Sequence, residues 1–302
     1  MVEKALDSCP VEVPREGASG FMRLAGARYW TASLLPALVG TTLPFWLRPS
    51  GFSFNWPGAI EFFLATALFH VGFSLLQARF EHRSTAKWSE ARLLGIAAIC
   101  IVVACLLGLH LNNQIPGSIF IVYGLGTIFA GLLYVMPPIN YCRRAGGEII
   151  IAQSLGLLPV LGAYLVQTGD LTRTVYMVSM PIVIATGLWI WTDQLANREK
   201  DQRAGRQTMI DLLGLEFSGR YAVLALTLLF YIMLLMAVYA TAISLPGLMA
   251  LLLLRLVWKI DSVSWNNYAS PTHMLAAGKD AFRLHLAICI IITVSSLVGS
   301  LW

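Results

Sequence analysis

The sequence predicts an all-α integral membrane protein with about nine bilayer-crossing helices, and three observations carry that expectation. Of 302 residues, 57% are hydrophobic and only 12% charged, about half the charge of an ordinary soluble domain. The apolar residues gather in runs close to the ~20 residues that a helix needs to cross the hydrocarbon core. The basic residues are segregated into alternate connections, as the positive-inside rule requires of a multi-pass chain.

Taken in order, residues 1–25 mix acids, bases and two prolines without the apolar stretch of a signal peptide, so they read as a cytosolic N-terminal arm. Residues 26–302 read as one membrane domain, with apolar spans at 29–47, 58–77, 93–110, 117–136, 149–168, 174–192, 221–241, 243–258 and 284–302. Pro36, Pro44, Pro159 and Pro181 fall within or near spans, where neighbouring helices can satisfy the freed backbone groups. The eighth span is short and contains Arg255; eight spans is the alternative reading.

Orientation follows from the Lys and Arg residues. Eighteen of the 21 lie ahead of the first span or in the 78–92, 137–148, 193–220 and 259–283 connections, whereas the opposite side holds only Arg48 and Arg173. That asymmetry places the N-terminus in the cytoplasm and the C-terminus outside, in a cytoplasmic (inner) membrane, and it requires an odd number of spans. The net charge of +5 is explained by topology and by anionic lipid or phosphate, not by nucleic acid. Cys9, Cys100, Cys105, Cys142 and Cys289 show no paired spacing, so neither a disulfide framework nor a zinc site is indicated.

The connection after the sixth span carries the strongest chemical pattern. Asp193, Asn197 and Asp201 stand at i, i+4 and i+8, which on a continuous helix aligns their oxygens along one face. Such a ladder suits a hard cation such as Mg²⁺, and Arg198, Lys200, Arg203 and Arg206 close by can grip phosphate oxygens. The competing reading is an exposed helix end decorated with topogenic charges and i, i+4 ion pairs. Arg143 and Arg144 could contact the same phosphate or snorkel at the interface. Tyr134 could line a pocket or simply sit in the interfacial belt. His70, His82, His110, His273 and His285 have no metal-like spacing.

The run DQLANREKDQRAGRQT resembles the second aspartate motif of the UbiA-type intramembrane prenyltransferase superfamily, especially its menaquinone branch, the 1,4-dihydroxy-2-naphthoate polyprenyltransferases. Against that branch's pattern N-N-x-x-D-x-x-x-D-R-R-A-G-K-x-T, Asp201, Arg203, Ala204, Gly205 and Thr208 match, and Arg206 replaces Lys. Asp193 and Asn197 take positions usually held by Asn and Asp. LLPALVGTTLPFW is similar to the family's first helix. LLYVMPPINYCRRAGGE matches a second family segment at Tyr134, Pro138, Arg144, Gly147 and Glu148. LGLLPVLGAYLVQTG and AFRLHLAI are similar to later segments of the branch, so the likeness runs from about residue 25 to the end.

The resemblance implies a helical bundle around a lateral, lipid-accessible cavity, capped by two cytosolic motif loops. It implies binding of an isoprenyl diphosphate through Mg²⁺ and transfer of the isoprenyl group to an aromatic or quinone-precursor acceptor, a naphthoate first. Asp193, Asn197 and Asp201, with Glu81, are the implied metal ligands, and the implied catalytic residues are Asp193, Asp201 and Glu148. Glu148 is placed to orient or deprotonate the acceptor, and equally to anchor Arg144. Arg79, Arg83, Lys87, Arg143, Arg144, Lys200, Arg203 and Arg206 are the implied diphosphate contacts, and Gln77 and Tyr134 the implied prenyl or acceptor pocket.

The chain departs from the family in the first motif, N-D-x-x-D-x-x-x-D, where Gln77, Ala78, Glu81 and Thr85 stand and only Glu81 is a carboxylate. Arg79, Arg83 and Lys87 make that loop net basic. The expectation is therefore one Mg²⁺ rather than two. A non-catalytic lipid- or quinone-binding paralogue and a terpene cyclase with altered chemistry are the rival functions. The topology is testable directly: reporters fused after residues 85, 140, 205 and 270 should face the cytoplasm and one fused after Trp302 should not. A cytoplasmic C-terminus would overturn the nine-span arrangement.

Overall fold

The computed structural model describes residues 18–81, 88–115 and 117–301, and every regular element among them is helical. Thr85, Arg83 and Lys87 of the predicted first-motif loop lie outside the described residues. A short helix, α1 (Ala18–Leu24), and a 3-10 turn, Ala27–Tyr29, lead into α2 (Thr31–Leu47). Then come α3 (Trp56–Phe80), α4 (Glu90–Asn112), α5 (Ile119–Val135), α6 (Gly147–Gly156), α7 (Leu158–Thr168), α8 (Arg173–Arg203) and α9 (Met209–Leu213). α10 (Leu215–Phe217) passes through a π turn at Ser218–Ala222 into α11 (Val223–Tyr239), and α12 (Leu254–Asn267) and α13 (Pro271–Gly299) complete the chain.

Local chemistry sets the ends. Asn55 caps α3 by accepting from the Gly58 amide at 2.9 Å, and Ser89 caps α4 by accepting from Arg92, each satisfying an otherwise orphaned first-turn donor. The predicted span at 149–168 is one crossing made of two helices, broken at Leu157 just ahead of Pro159 in the first turn of α7. Proline is tolerated there because it supplies no donor where none is used.

Among the described residues six helical stretches are long and apolar enough to cross a membrane: α3, α4, α6–α7, α8, Leu215–Tyr239 and α13, with α2 and α5 as shorter apolar helices. The protein is a multi-span membrane bundle. The predicted eighth span is a 3-10 run, Leu245–Leu253, continuing into α12. It starts where Ser244 Oγ meets Ser295 Oγ at 2.6 Å near the end of α13, and reaches the Gly219 carbonyl through Ser264 near the start of α11. The last span corrects the sequence reading, since α13 begins at Pro271 rather than near 284. Its polar first turns read as a loop by hydropathy, although they continue the same helix.

α8 and α13 pack along each other at the centre, with α2, α11 and α6 against them and α7 behind α2. α3 and α4 form a second layer. The central pair is tied by Thr186 Oγ1 to His285 Nδ1 at 2.9 Å, both fully buried. α12 is tied to α13 by the buried Asp280, which receives Lys259 Nζ and Arg283, each at 2.7 Å. The outer face of α4 shows the opposite logic: Ile99, Val102, Leu106 and Leu109 are all more than half exposed, one stripe at helical spacing that only lipid can cover.

Gly40 permits α2 and α7 to touch, since a Cβ there would lie 2.1 Å from the Val160 carbonyl oxygen. Small residues at such crossings are how membrane helices approach closely. Gly40→Val should therefore lower the melting temperature of the detergent-solubilised protein by several degrees, in line with the ~1–3 kcal/mol cost of overpacking. An unchanged melting curve would show that this crossing is not tight.

Candidate functional site

A cavity of about 1570 Å³ opens between α2, α3, α4, α5, α6, α7 and α8, with most of its charged residues toward the end where α3 and α8 finish. Below them the wall is uncharged and mainly apolar, including Phe62, Leu111, Phe120 and Pro159. A polar mouth over an apolar chamber suits a ligand with a charged head and an isoprenoid or acyl tail.

The mouth is organised by one cation. Arg206 Nη1 reaches Asp201 Oδ1 at 3.1 Å, while its Nη2 pairs with Glu81 Oε1. Gln77 Nε2 donates to the same Glu81 oxygen at 3.0 Å, and the Cys142 Sγ lies 3.8 Å from it. The end of α3, the α5–α6 loop and the end of α8 therefore converge on one ion bridge. Burial would lower the Arg206 pKa, but Glu81 and Asp201 more than offset it, so the guanidinium stays charged. Burial, and then Glu81, push the Cys142 thiol up to about 12, which keeps it protonated and unreactive.

The loop after α8 is fixed by its own chemistry. Thr208 and Asp211 form a reciprocal capping box at the start of α9. Burial would raise the Asp211 pKa, but the Thr208 amide, Gln202, the Thr208 hydroxyl and Arg198 hold it below the usual carboxylate value. Gln207 N donates to the Arg143 carbonyl at 2.9 Å and Arg143 reaches back to the Ala204 carbonyl, so the two loops are laced together.

Asp193, Asn197, Lys200, Asp201, Arg206, Arg143, Gln77, Glu81 and Tyr134 all line this cavity. Glu148 does not. It is 5% exposed, and its two oxygens accept from the Gly146 amide at 2.9 Å and the Met209 amide at 3.0 Å, pinning one loop to the other. Arg79 turns to Glu90 on α4 at 2.8 Å, Arg203 to Glu199 at 3.5 Å, and Arg144 to the Pro138 carbonyl at 2.9 Å; none of these three is on the cavity wall. Arg83 and Lys87 fall outside the described residues.

Sequence reasoning passed over Cys142, Gln194, Ser33, His70 and Ser74, which also line the cavity. The signal for two of them was present: Thr66, His70, Ser74 and Gln77 recur at helical spacing through the second span.

The oxygen donors fit at most one divalent ion. Among the described residues no group of three or more His, Cys, Asp or Glu side chains converges. Asp193 and Asp201 are eight residues apart on one continuous helix, about 12 Å at 1.5 Å per residue, too far to share a Mg²⁺ that demands ~2.1 Å contacts. Asn197 donates its Nδ2 to the Asp193 carbonyl at 2.9 Å, leaving its amide oxygen to join either neighbour. Between Glu81 and Asp201 a guanidinium already supplies the positive charge.

The model of the UbiA prenyltransferase family matches residues 33–286. The chain belongs to that family. It is 28% identical over 162 residues to UbiA prenyltransferase domain-containing protein 1 of Mus musculus, a match covering 54% of this chain and 46% of that protein. It is also 25% identical over 122 residues to 1,4-dihydroxy-2-naphthoate octaprenyltransferase of Bacillus subtilis (strain 168), covering 40% and 39%. The chain thus spans about half or less of the length of the curated relatives it matches. A UbiA homolog from Aeropyrum pernix K1, solved in its apo form, superposes with a TM-score of 0.68 at 15% identity over 90% of this chain and 98% of that one. One from Archaeoglobus fulgidus, solved bound to DMAPP and Mg²⁺, superposes with a TM-score of 0.63 at 15% identity over 91% and 99%. These establish a UbiA-like fold around the cavity.

Removing the bridging cation leaves two buried carboxylates facing each other, a situation that costs about 3–5 kcal/mol. Arg206→Ala should lower the melting temperature strongly, and adding Glu81→Gln should recover much of the loss. Additive losses in the double variant would mean that the two side chains act independently.

Proposed function

We propose that this UbiA-family chain is a membrane prenyltransferase, transferring an isoprenyl group from a prenyl diphosphate to an aromatic or quinone-precursor acceptor, with a naphthoate as first candidate. The observation that carries the reading is the Glu81–Arg206–Asp201 bridge at the mouth of an apolar chamber. It places a fixed cation and two carboxylates where a diphosphate head would sit above its tail. The naphthoate is supported by the Bacillus relative's name and by the menaquinone-branch residues around Asp201 and Tyr134.

Arg206, Lys200 and Arg143 bind the diphosphate oxygens through charge-assisted hydrogen bonds. Asn197, with Asp193 or Asp201, would hold one Mg²⁺, which when bound adds charge stabilisation to the leaving diphosphate. The C1–O bond breaks with its electron pair going to the diphosphate, and the acceptor's π electrons form the new bond to C1. The acceptor then loses one proton, restoring its aromaticity. The apolar wall excludes the water that would otherwise capture the allylic cation. Glu148 holds the two loops in register from behind, and through them Arg143 and Asp201.

The same reading gives nine crossings, with the 3-10/α12 segment as the eighth, in a cytoplasmic membrane with the N-terminus inside. A second reading, retention of the prenyl diphosphate without turnover, is favoured by Gln77 and Ala78 standing where the family's first motif carries Asn and Asp.

Purified protein incubated with a panel of prenyl diphosphates and aromatic acceptors, with and without Mg²⁺, should form a prenylated product detectable by mass. Asp201→Ala should reduce turnover by at least about 100-fold, since it removes an oxygen donor and uncouples Arg206. Tight prenyl diphosphate binding with no product from any acceptor would favour the second reading.

A further inference from the structure

We propose that His70, with Ser33 and Ser74, forms the acceptor subsite of this cavity, and that it binds an uncharged oxygen, the hydroxyl or carbonyl of an aromatic ring. The proposal rests on the transferase reading for what the subsite is used for, but not for what it binds.

His70 lies on the cavity wall beside Gly26, Tyr29, Ser33 and Ser74. Its Nδ1 is 2.9 Å from Ser33 Oγ, which also donates to the Trp30 carbonyl at 3.2 Å. On the other side the ring's Nε2 lies against Gly26. Gly26 can come this close only because it is glycine. Its φ is +67°, and a Cβ would lie 2.7 Å from Ser74 Oγ and 3.1 Å from His70 Nε2. The chain entering α2 is therefore laid directly onto the polar stripe of α3, against both Ser74 and His70.

The depth fits a reacting acceptor. Arg206 joins Glu81 at the end of α3 to Asp201 on α8, and the two helices run in the same direction from this level. Counting down, His70 stands eleven residues below Glu81 and Asp193 eight below Asp201, about 16 Å and 12 Å at helical rise. His70 thus lies about one helical turn deeper than the innermost residue of the diphosphate ladder, the level at which C1 of a prenyl diphosphate emerges from its phosphate. Tyr29 and Trp189, with ring centroids 5.1 Å apart, line the cavity beside it and offer faces for an aromatic ring.

The charge at that depth selects the ligand. The basic residues of the wall are Arg23, Arg143, Lys200 and Arg206. Three belong to the mouth loops and the end of α8, and Arg23 ends α1, where its carbonyl accepts from the Gly26 amide at 3.2 Å. An imidazole and two hydroxyls offer both donors and acceptors, which suits a phenolic or quinol oxygen.

The test uses the full chain in detergent with two probes, 1-naphthol and 1-methylnaphthalene, measured by equilibrium dialysis beside geranyl diphosphate binding. Wild type should prefer the naphthol by roughly five- to tenfold, the size of one neutral hydrogen bond. His70→Ala and the milder Ser33→Ala should each shrink that preference, His70→Gln should retain part of it, and geranyl diphosphate affinity should be unchanged. A preference that survives in Ser33→Ala and His70→Gln alike, or equal loss of geranyl diphosphate binding, overturns the subsite. Absence of transfer by a wild type that keeps the preference rejects the transferase reading and leaves the subsite standing.

Discussion

The bridge from Glu81 through Arg206 to Asp201 is the contact on which the site depends, because it joins elements that have no other reason to meet. Helix α3 ends at one carboxylate and α8 nears its end at the other, and the guanidinium between them comes from the loop that follows α8. A buried ion pair gives little net stability, since desolvation cancels much of the Coulomb gain, but removing one partner is expensive. Its effect is geometric: it sets the width of the cavity mouth. Glu148 does the complementary work from behind by binding two backbone amides from different loops.

That bridge stands where the resemblance puts the meeting of two acidic motifs. In this chain Ala78 and Thr85 take positions that the first motif fills with aspartate, so Glu81 is the carboxylate left on that side, and Arg206, where the family pattern has Lys, lies between it and Asp201. A guanidinium cannot be lost to chelators and binds oxyanions in a planar fork. On the transferase reading proposed above, that fork would carry part of the diphosphate charge with fewer carboxylates and less metal.

Much of the fold was legible because lipid is an undemanding solvent to read: apolar runs and the alternation of Lys and Arg located nearly every helix. What escaped was backbone geometry that hydropathy does not encode. The break at Leu157, the 3-10 run before α12 and the thirteen additional residues at the start of α13 all lie where apolar content and helical structure part company. In the site, the ladder on α8 was readable from i, i+4 spacing, because Asp193, Asn197 and Asp201 share one helix. The ion bridge was not, because Glu81 and Arg206 are 125 residues apart and nothing local to either one names the other. Arg79 shows the converse: its place beside the first motif suggested phosphate, and tertiary packing gave it Glu90 instead.

His70 marks a different limit. A lone histidine in an apolar span is usually a satisfied structural residue, and its hydrogen bond with Ser33 is consistent with that. What distinguishes it is the company on its helix face. Thr66, His70, Ser74 and Gln77 form a polar stripe on a helix that is otherwise apolar between Glu61, paired with His110 on α4, and Arg79, paired with Glu90. In a bilayer such a stripe must face protein or a ligand cavity, since lipid offers no partners. The stripe runs without interruption from the ion bridge into the chamber, so the polarity of the wall falls in steps: charge at Glu81, amide at Gln77, hydroxyl and imidazole at Ser74 and His70, a last hydroxyl at Thr66, then Phe62. A substrate pair consisting of a diphosphate, a hydroxylated ring and an isoprenoid tail has the same sequence of polarities along its length. On the transferase reading proposed above, that correspondence would set the ring beside the head of the prenyl chain and direct the tail toward Phe62 and Phe120.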